Sequence, residues 1–467
     1  MGNEWDFICL DELIEVQHGW AFKGAHMDET IEAGPIVVAI GNFNYEGGFR
    51  FATTKIKRYT NEFPKEYILE SGDILLAMTC QTSGGEILGI PGVIPDDGNV
   101  YLHNQRLGKV IVKDPRKVSK GFLYYLFVSH PFNHSLYLSA TGTKILHTSP
   151  TKITSYGCAM PSLHEQEKIA HILGTLDDKI ELNRRMNVTL ESMARALFKS
   201  WFVDFDPVID NALAAGNPIP EPLSQRAQTR RDLGTKRKPL PKNIQKLFPS
   251  AFIFDEQMGW IPDGWETEPV YEVAQFINGA AFKSSHFCPK EDGLPVVKIA
   301  ELKNGISAQT KFTDRDMDDK YSIDDGEVLF SWSGSPDTSI DTFVWSGGAG
   351  WLNQHIFKVS FHRASERGFV YSMLKHLKPT FVEIARDKQT TGLGHVTARD
   401  MKRLFVVKPI ESLPEHFATY VDPVLQRAFE TNMQSKRLAK LRDTLLPKLL
   451  SGELRIPDAE KLLAGSL

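Results

Sequence analysis

Three groups of residues have types and spacings that could do chemistry. Glu301-Leu302-Lys303 has the E-x-K form of a metal-dependent nuclease core, with Asp292 upstream as a possible ligand for a hard divalent cation. Its counterpart in the other half of the chain is Asn42-Phe43-Asn44, so a surface charge pair accounts for it better. Asn217-Pro218-Ile219-Pro220 approaches the N-P-P-aromatic motif of amino-methyltransferases. Its third and fourth residues are wrong, and no glycine-rich strand–turn for a methyl donor stands upstream. His147 and His395 occupy matching places but lack a repeated carboxylate or nucleophile that would complete a catalytic set. There is no G-x-x-x-x-G-K-[ST] phosphate loop, no H-E-x-x-H and no cysteine–histidine ligand cluster. The expectation is a chain without catalytic residues, metal or bound cofactor of its own.

The histidines match because the chain repeats itself once. Gly19-Trp-Ala-Phe-Lys23 recurs as Gly279-Ala-Ala-Phe-Lys283, Val37-Val-Ala-Ile40 as Val296-Val-Lys-Ile299, and Gly72-Asp-Ile-Leu75 as Gly326-Glu-Val-Leu329. Asn104-Gln105 matches Asn353-Gln354, the aromatic run from Phe122 matches that from Phe369, and Thr141-Gly142 with His147 matches Thr391-Gly392 with His395. Six matches in one order are not chance. Between the β-rich halves, an apolar seam runs through Ile169, Leu173, Leu176, Ile180, Leu190, Ala194, Leu197 and Trp201, interrupted by Asn183 and Asn187. Such a narrow stripe is a coiled-coil seam that needs a partner helix. Shifted by 248 residues it lands on Phe417, Val421, Val424, Ala428, Thr431, Ser435, Leu438, Arg442, Leu445 and Leu449. Ser162 with Glu165, and Ser412 with Glu415, read as capping boxes, and Pro447 should end or kink the second helix. Antiparallel pairing would bring Asn183, Asn187, Thr431 and Ser435 into one register-fixing polar layer.

The composition is that of an ordinary globular protein, with 42% apolar and 24% charged residues and a net charge of −4 over 467 residues. A uniformly basic nucleic-acid binder is excluded; one with local positive surfaces is not. Cys9, Cys80, Cys158 and Cys288 stand singly, which fits reduced thiols and a cytoplasmic setting, and no run is apolar enough to span a membrane. The expected class is α+β: two β-rich domains joined by two long helices in an antiparallel coiled coil, related by a pseudo-two-fold repeat. The expected boundaries are 1–161 for the first domain, 162–206 for a helical spacer, and 207–263 for a Pro-rich basic linker. Then follow 264–410 for the second domain, 411–455 for a second spacer and 456–467 for a tail. Pro207 should close the first helix and Gly452 stop the second. Residues 224–246 carry a net charge of +7, from Arg226, Arg230, Arg231, Lys236, Arg237, Lys238, Lys242 and Lys246 against Asp232. Such a run is a solvated linker or a basic arm.

GWAFK and GAAFK at the domain starts, PSLHEQEKIAHIL with LFKSWFVDFDPV along the first helix, GWIPDGWE before the second domain and LRDTLLPKLLSGEL closing the second helix resemble the specificity subunits of type I restriction-modification systems. The resemblance implies two target-recognition domains, each reading a few base pairs of double-stranded DNA, held apart by helical spacers that dock two modification subunits. It implies a non-catalytic subunit: S-adenosylmethionine sits in the modification subunits, which methylate adenine, and ATP and Mg are used by restriction subunits. In one respect the chain departs from that pattern: the first half begins directly at its domain, with no helical segment before it, and a tight N-terminal boundary is the expectation.

Features shared by both domains cannot explain different base preferences. Lys23 and Lys283, Asn104-Gln105 and Asn353-Gln354, and His147 and His395 are therefore expected to do scaffold work or contact phosphate. Base readout is expected where the halves differ: residues 79–90 against 331–351, and 42–58 against 301–315. Candidate DNA contacts there and nearby are Gln81, Thr82, Ser83, Lys144, Lys303, Ser333, Ser335 and Arg399. The competing readings are the DNA-reading subunit of another phage-defence or orphan methylation system, a nuclease using Asp292, Glu301 and Lys303, and a rigid adaptor between proteins.

Overall fold

The computed structural model describes residues 5–51, 55–236, 239–389 and 392–466. The chain divides into two compact units, one formed by Met1–Glu181 with Lys436–Leu467 and the other by Leu182–Ser435.

In the first unit a four-stranded sheet runs in the order Ile14–His18, Leu107–Val112, Ile74–Ala77, Pro91–Val93. All its pairings are antiparallel. Ile74–Ala77 is buried at every position, the mark of a strand covered on both faces. A second sheet of two-residue strands orders Met27–Asp28, Arg58–Tyr59, Ile36–Val37, Tyr101–Leu102, Ile68–Leu69, with one parallel pairing between Tyr101–Leu102 and Ile36–Val37. The helices Lys120–Val128 and His130–Ser139 add Phe122, Phe127, Phe132 and Leu136 to a core shared with Ile169, Leu173, Leu176, Leu438, Leu445 and Leu449.

The second unit repeats that topology with one strand fewer in its mixed sheet. Gln275–Asn278, Ile356–Ser360, Val328–Ser331 and Asp341–Val344 form the four-stranded sheet, and Phe312–Thr313, Leu294–Val297, Gly350–Leu352 and Ser322–Ile323 the mixed one. In both units the repeated glycine marks a close crossing. A Cβ on Gly19 would lie 2.3 Å from the Asn104 carbonyl oxygen, and one on Gly279 2.2 Å from that of Asn353. Parallel bridges Trp20–Asn104 and Ala280–Asn353 form there, and only glycine fits.

The long helices are Leu163–Phe202 and Ser412–Leu450. The first is capped as its sequence predicts: Ser162 N–H donates to Glu165 Oε2 at 3.1 Å, and Glu165 N–H to Ser162 Oγ at 3.4 Å. Within the second unit the helices run antiparallel. Asn183 meets Thr431, while Trp201 packs on Phe417 and Tyr420 with ring centroids 5.5 and 5.8 Å apart.

Four expectations are corrected and one is narrowed. Ser412 is already helical, and Glu415 accepts from Ser365 Oγ instead of closing a box. Of the two alternatives expected at Pro447, an end is ruled out: the helix runs on to Leu450 and buries Leu449, since a proline in the last turn removes a single N–H bond. Pro207 sits in the first turn of a new helix, Asp206–Ala215, after Phe205 turns the chain at φ 54°. The region 207–263 is not a solvated linker. It folds into that helix, the helix Ser224–Leu233 and a hairpin of Phe252–Asp255 with Gly259–Pro262. The buried Asp206 carboxylate accepts from Arg226 Nε and Nη2, each at 2.7 Å, and from Ser200 Oγ at 2.7 Å, while Arg230 pairs with Asp210. These contacts hold the Asp206 carboxyl below its ordinary range despite its burial. Two of the basic run's arginines are thus counter-charges to a neighbouring helix; Arg237 and Lys238 lie outside the described residues. The tail forms the helix Ile456–Ala464, which buries Ala459 and Leu463 in the first unit's core. Its Ile456-Pro457 start parallels Asp206-Pro207, so the repeat extends beyond the long helices.

Candidate nucleic-acid interface

In the first unit the strand Thr79–Cys80 pairs antiparallel with Leu146–His147, placing Cys80 opposite Leu146 and Thr79 opposite His147. Residues 81–83 therefore leave this ladder at the end where Lys144 and Ile145 enter it. Gln81, Thr82, Ser83, Lys144 and His147 are all exposed. His147 Nδ1 lies 3.0 Å from Thr79 Oγ1, which orients the ring. Thr82 is committed within its loop: its hydroxyl donates to the Glu86 carboxylate and holds that carboxyl below its ordinary range. Gly85, at φ +68°, seats the loop on the helix His130–Ser139, where a Cβ would fall 2.4 Å from the Tyr137 ring.

The second unit builds the same ladder from different residues. Ser333 stands opposite His395 and Gly334 opposite Gly394, so Ser335 follows beside Leu393. Ser333 and Ser335 are half-buried, whereas His395 and Arg399 are exposed. The helix Ile299–Asn304 starts against Gly334 and carries the exposed Lys303. Thr391 lies outside the described residues.

The remaining shared candidates separate by burial. Lys23, Lys283, Gln105 and Gln354 are exposed. Asn353 is 8% exposed at the Gly279 crossing, and Asn104 accepts from Arg106 N–H at 3.3 Å within its own turn. Of the two alternatives expected for them, scaffold work or phosphate contact, these positions fit scaffold work at the crossing, where their backbone carbonyls meet Gly19 and Gly279. Glu301 is corrected. It is neither a surface charge nor a metal ligand, since it is buried and its carboxylate accepts from Lys298 N–H and Thr310 Oγ1, both at 3.0 Å. Among the described residues no group of three His, Cys, Asp or Glu side chains could hold a metal ion.

In the polar layer of the long helices Asn183 is 1% exposed and Thr431 2%. Asn183 Nδ2 donates to Thr431 O at 3.4 Å and to Gln434 Oε1 at 3.0 Å, and the Thr431 hydroxyl donates to Asn187 Oδ1. Ser435 stays out of this exchange, donating to Thr431 O of its own helix at 2.9 Å. Sequence reasoning missed a second polar layer, in the first unit. There Arg442 Nη1 lies 2.7 Å from Asp177 Oδ1, and Tyr125 O–H donates to Asp177 Oδ2 at 2.8 Å. Arg442 stood on the shifted seam; nothing in the spacing pointed to Asp177.

The chain is similar to known proteins. Residues 2–192 and 262–414 match the family described as type I restriction modification DNA specificity domain. A Haemophilus influenzae protein named type I restriction enzyme HindI specificity subunit is 25% identical over 448 residues, covering 84% of this chain and 95% of that one. The Methanocaldococcus jannaschii MjaIX specificity subunit is 24% identical over 370 residues, covering 77% and 74%. A crystal structure of a type I restriction-modification S subunit from M. genitalium superposes with a TM-score of 0.51 at 14% identity, covering 96% of this chain and 97% of that one, and so shares the fold.

Proposed function

The chain belongs to the type I restriction-modification DNA specificity family, and from that premise we propose that its two units each read one half of an asymmetric, two-part DNA target. It is the DNA-recognition subunit of such a system and not its catalyst. The observation that carries the two-part reading is one ladder built twice, with His147 and His395 in matching places and unlike polar loops beside them. Shared groups such as Lys23, Lys283 and the two histidines would position phosphate, and the unlike loops would meet base edges in the groove.

On this reading the long helices set the half-site separation and dock two modification subunits. Those subunits supply S-adenosylmethionine for adenine methylation, and restriction subunits use ATP and Mg; this chain binds none of these. Assembly would take place in the cytoplasm, which the four free cysteines suit. No helix is long and apolar enough to cross a membrane.

The test is an exchange. Residues 1–160 are replaced by the first domain of another family member, and adenine methylation is mapped across a host genome. One half of the methylated motif should change and the other stay. A change in both halves, or in neither, would refute the assignment.

A further inference from the structure

Resting on that DNA-recognition reading, we propose that Ile145 and Leu393 are apolar wedges, one per unit, that press into the base stack of duplex DNA. Each immediately precedes the histidine-bearing strand of its ladder, at the end where the variable polar loop departs. Ile145 is 47% exposed and Leu393 58%, although the next residue, Leu146 or Gly394, turns inward and is buried. Strand alternation thus drives a branched aliphatic side chain outward in both copies. The glycine before each turn adopts a positive φ, +106° at Gly142 and +82° at Gly392. A Cβ on Gly142 would lie 2.0 Å from the Ile145 carbonyl oxygen, so that turn admits no side chain.

A single exposed aliphatic residue is ordinary on a protein surface. Here the feature recurs at matching positions while the segment leaving the ladder beside it changes from Gln81-Thr82-Ser83 to Ser335-Pro336-Asp337. Duplex DNA offers such a side chain two apolar partners: the faces of partly unstacked bases and the thymine methyl group. A thymine methyl carries sequence information, which a feature common to two different readers cannot supply. Insertion at a base step needs no particular base pair. It would hold the duplex in a deformed shape while the polar loops read its edges.

The experiment uses the full chain assembled with its modification subunits on target duplexes carrying 2-aminopurine at successive positions, the methylated adenines excepted. The expected result is bright, unstacked 2-aminopurine at one step in each half-site. Ile145→Ser should abolish the signal in the first half only and Leu393→Ser in the second only. Each should weaken binding by on the order of ten- to a hundredfold, the worth of one buried aliphatic side chain. Ile145→Leu should retain both signal and affinity. Serine variants that bind with unchanged fluorescence would overturn the wedge and leave the two-part reading intact. So would an affinity loss reproduced by replacing thymine with deoxyuridine in the absence of unstacking, which would make these residues base readers. A wild-type complex with no salt-dependent DNA binding would overturn the recognition reading itself, and the wedge with it.

Discussion

Arg442→Ala should destabilise the first unit by about 2–3 kcal/mol, and adding Asp177→Leu should restore most of the loss. Arg442 is only 15% exposed as a side chain and Asp177 30%. Their contact and the Tyr125 hydrogen bond form one network, in which burial, and then the charge of Asp177, push the Tyr125 phenol far above its ordinary range. Burial works against the Arg442 guanidinium, but the carboxylates beside it more than offset that and raise its pKa. Removing Arg442 strands a carboxylate on an apolar seam. For full burial that costs about 3–5 kcal/mol, and the partial access of water to Asp177 lowers the figure to about 2–3 kcal/mol. In a unit of this size the melting temperature should fall by about 5–10 °C. The molecule supplies its own template for the repair. The repeat places Ala194 where the first unit has Arg442 and Leu425 where it has Asp177, and both lie in the second unit's core, 4% and 6% exposed. The double variant copies that apolar layer. It should come within about 1 kcal/mol of the parent, the remainder being the Tyr125 hydroxyl left without its acceptor. Calorimetry on the full chain gives the shift, and hydrogen exchange in residues 163–181 and 436–450 assigns it to the first unit. A single variant losing under about 0.5 kcal/mol, or a double variant no better than the single, would show that the ion pair does not hold this layer.

Three further outcomes follow from the same geometry. His103 is 1% exposed, its Nε2 is 2.9 Å from Leu107 O, and burial pushes its pKa down to about 4. The unfolded chain therefore takes up a proton that the folded one refuses. Stability should drop as pH falls from about 6.5 towards 4, by on the order of 3 kcal/mol, and urea unfolding of His103→Gln should lose this slope. Gly279→Ala puts a methyl group against the Asn353 backbone and should cost the second unit about 2–3 kcal/mol, leaving exchange protection in residues 5–160 unchanged. Asn183→Leu with Thr431→Leu should be neutral or stabilising by up to about 2 kcal/mol, since it removes a buried polar layer whose use is register; a clear fall in the urea midpoint would contradict that role.

The sequence shows the repeat and the helical seam because both are periodic signals. The matched segments became matched elements, strands at Ile74–Ala77 and Val328–Ser331 and helices at Lys120–Val128 and Arg367–His376, and Asn183 and Thr431 interrupt the seam where they are buried opposite each other. What stayed hidden are pairings between elements that share no period. Arg226 and Arg230 each find an aspartate 20 residues away, on a helix that composition alone made look like linker. Glu301 looked like half of a surface charge pair because its true partner, Thr310, comes from a separate turn. The candidate interface was legible as two stretches that ought to differ. That those stretches share a ladder with His147 and His395 depends on strand register, which two-residue strands do not announce.

The split of the first unit has a consequence for synthesis. The second unit is one continuous stretch, Leu182–Ser435, whereas the first needs Lys436–Leu467 to close its core through Leu438, Leu445, Leu449, Ala459 and Leu463. On the ribosome, the unit whose synthesis begins first is the last to be completed. Until the final helices emerge, Ile169, Leu173 and Leu176 lack the partners that Leu438, Leu445 and Leu449 supply, so a nascent chain stalled after Ser435 would have a finished second unit and an open first one. Premature termination near the end of the gene would damage the first unit and spare the second, which is encoded next to the break.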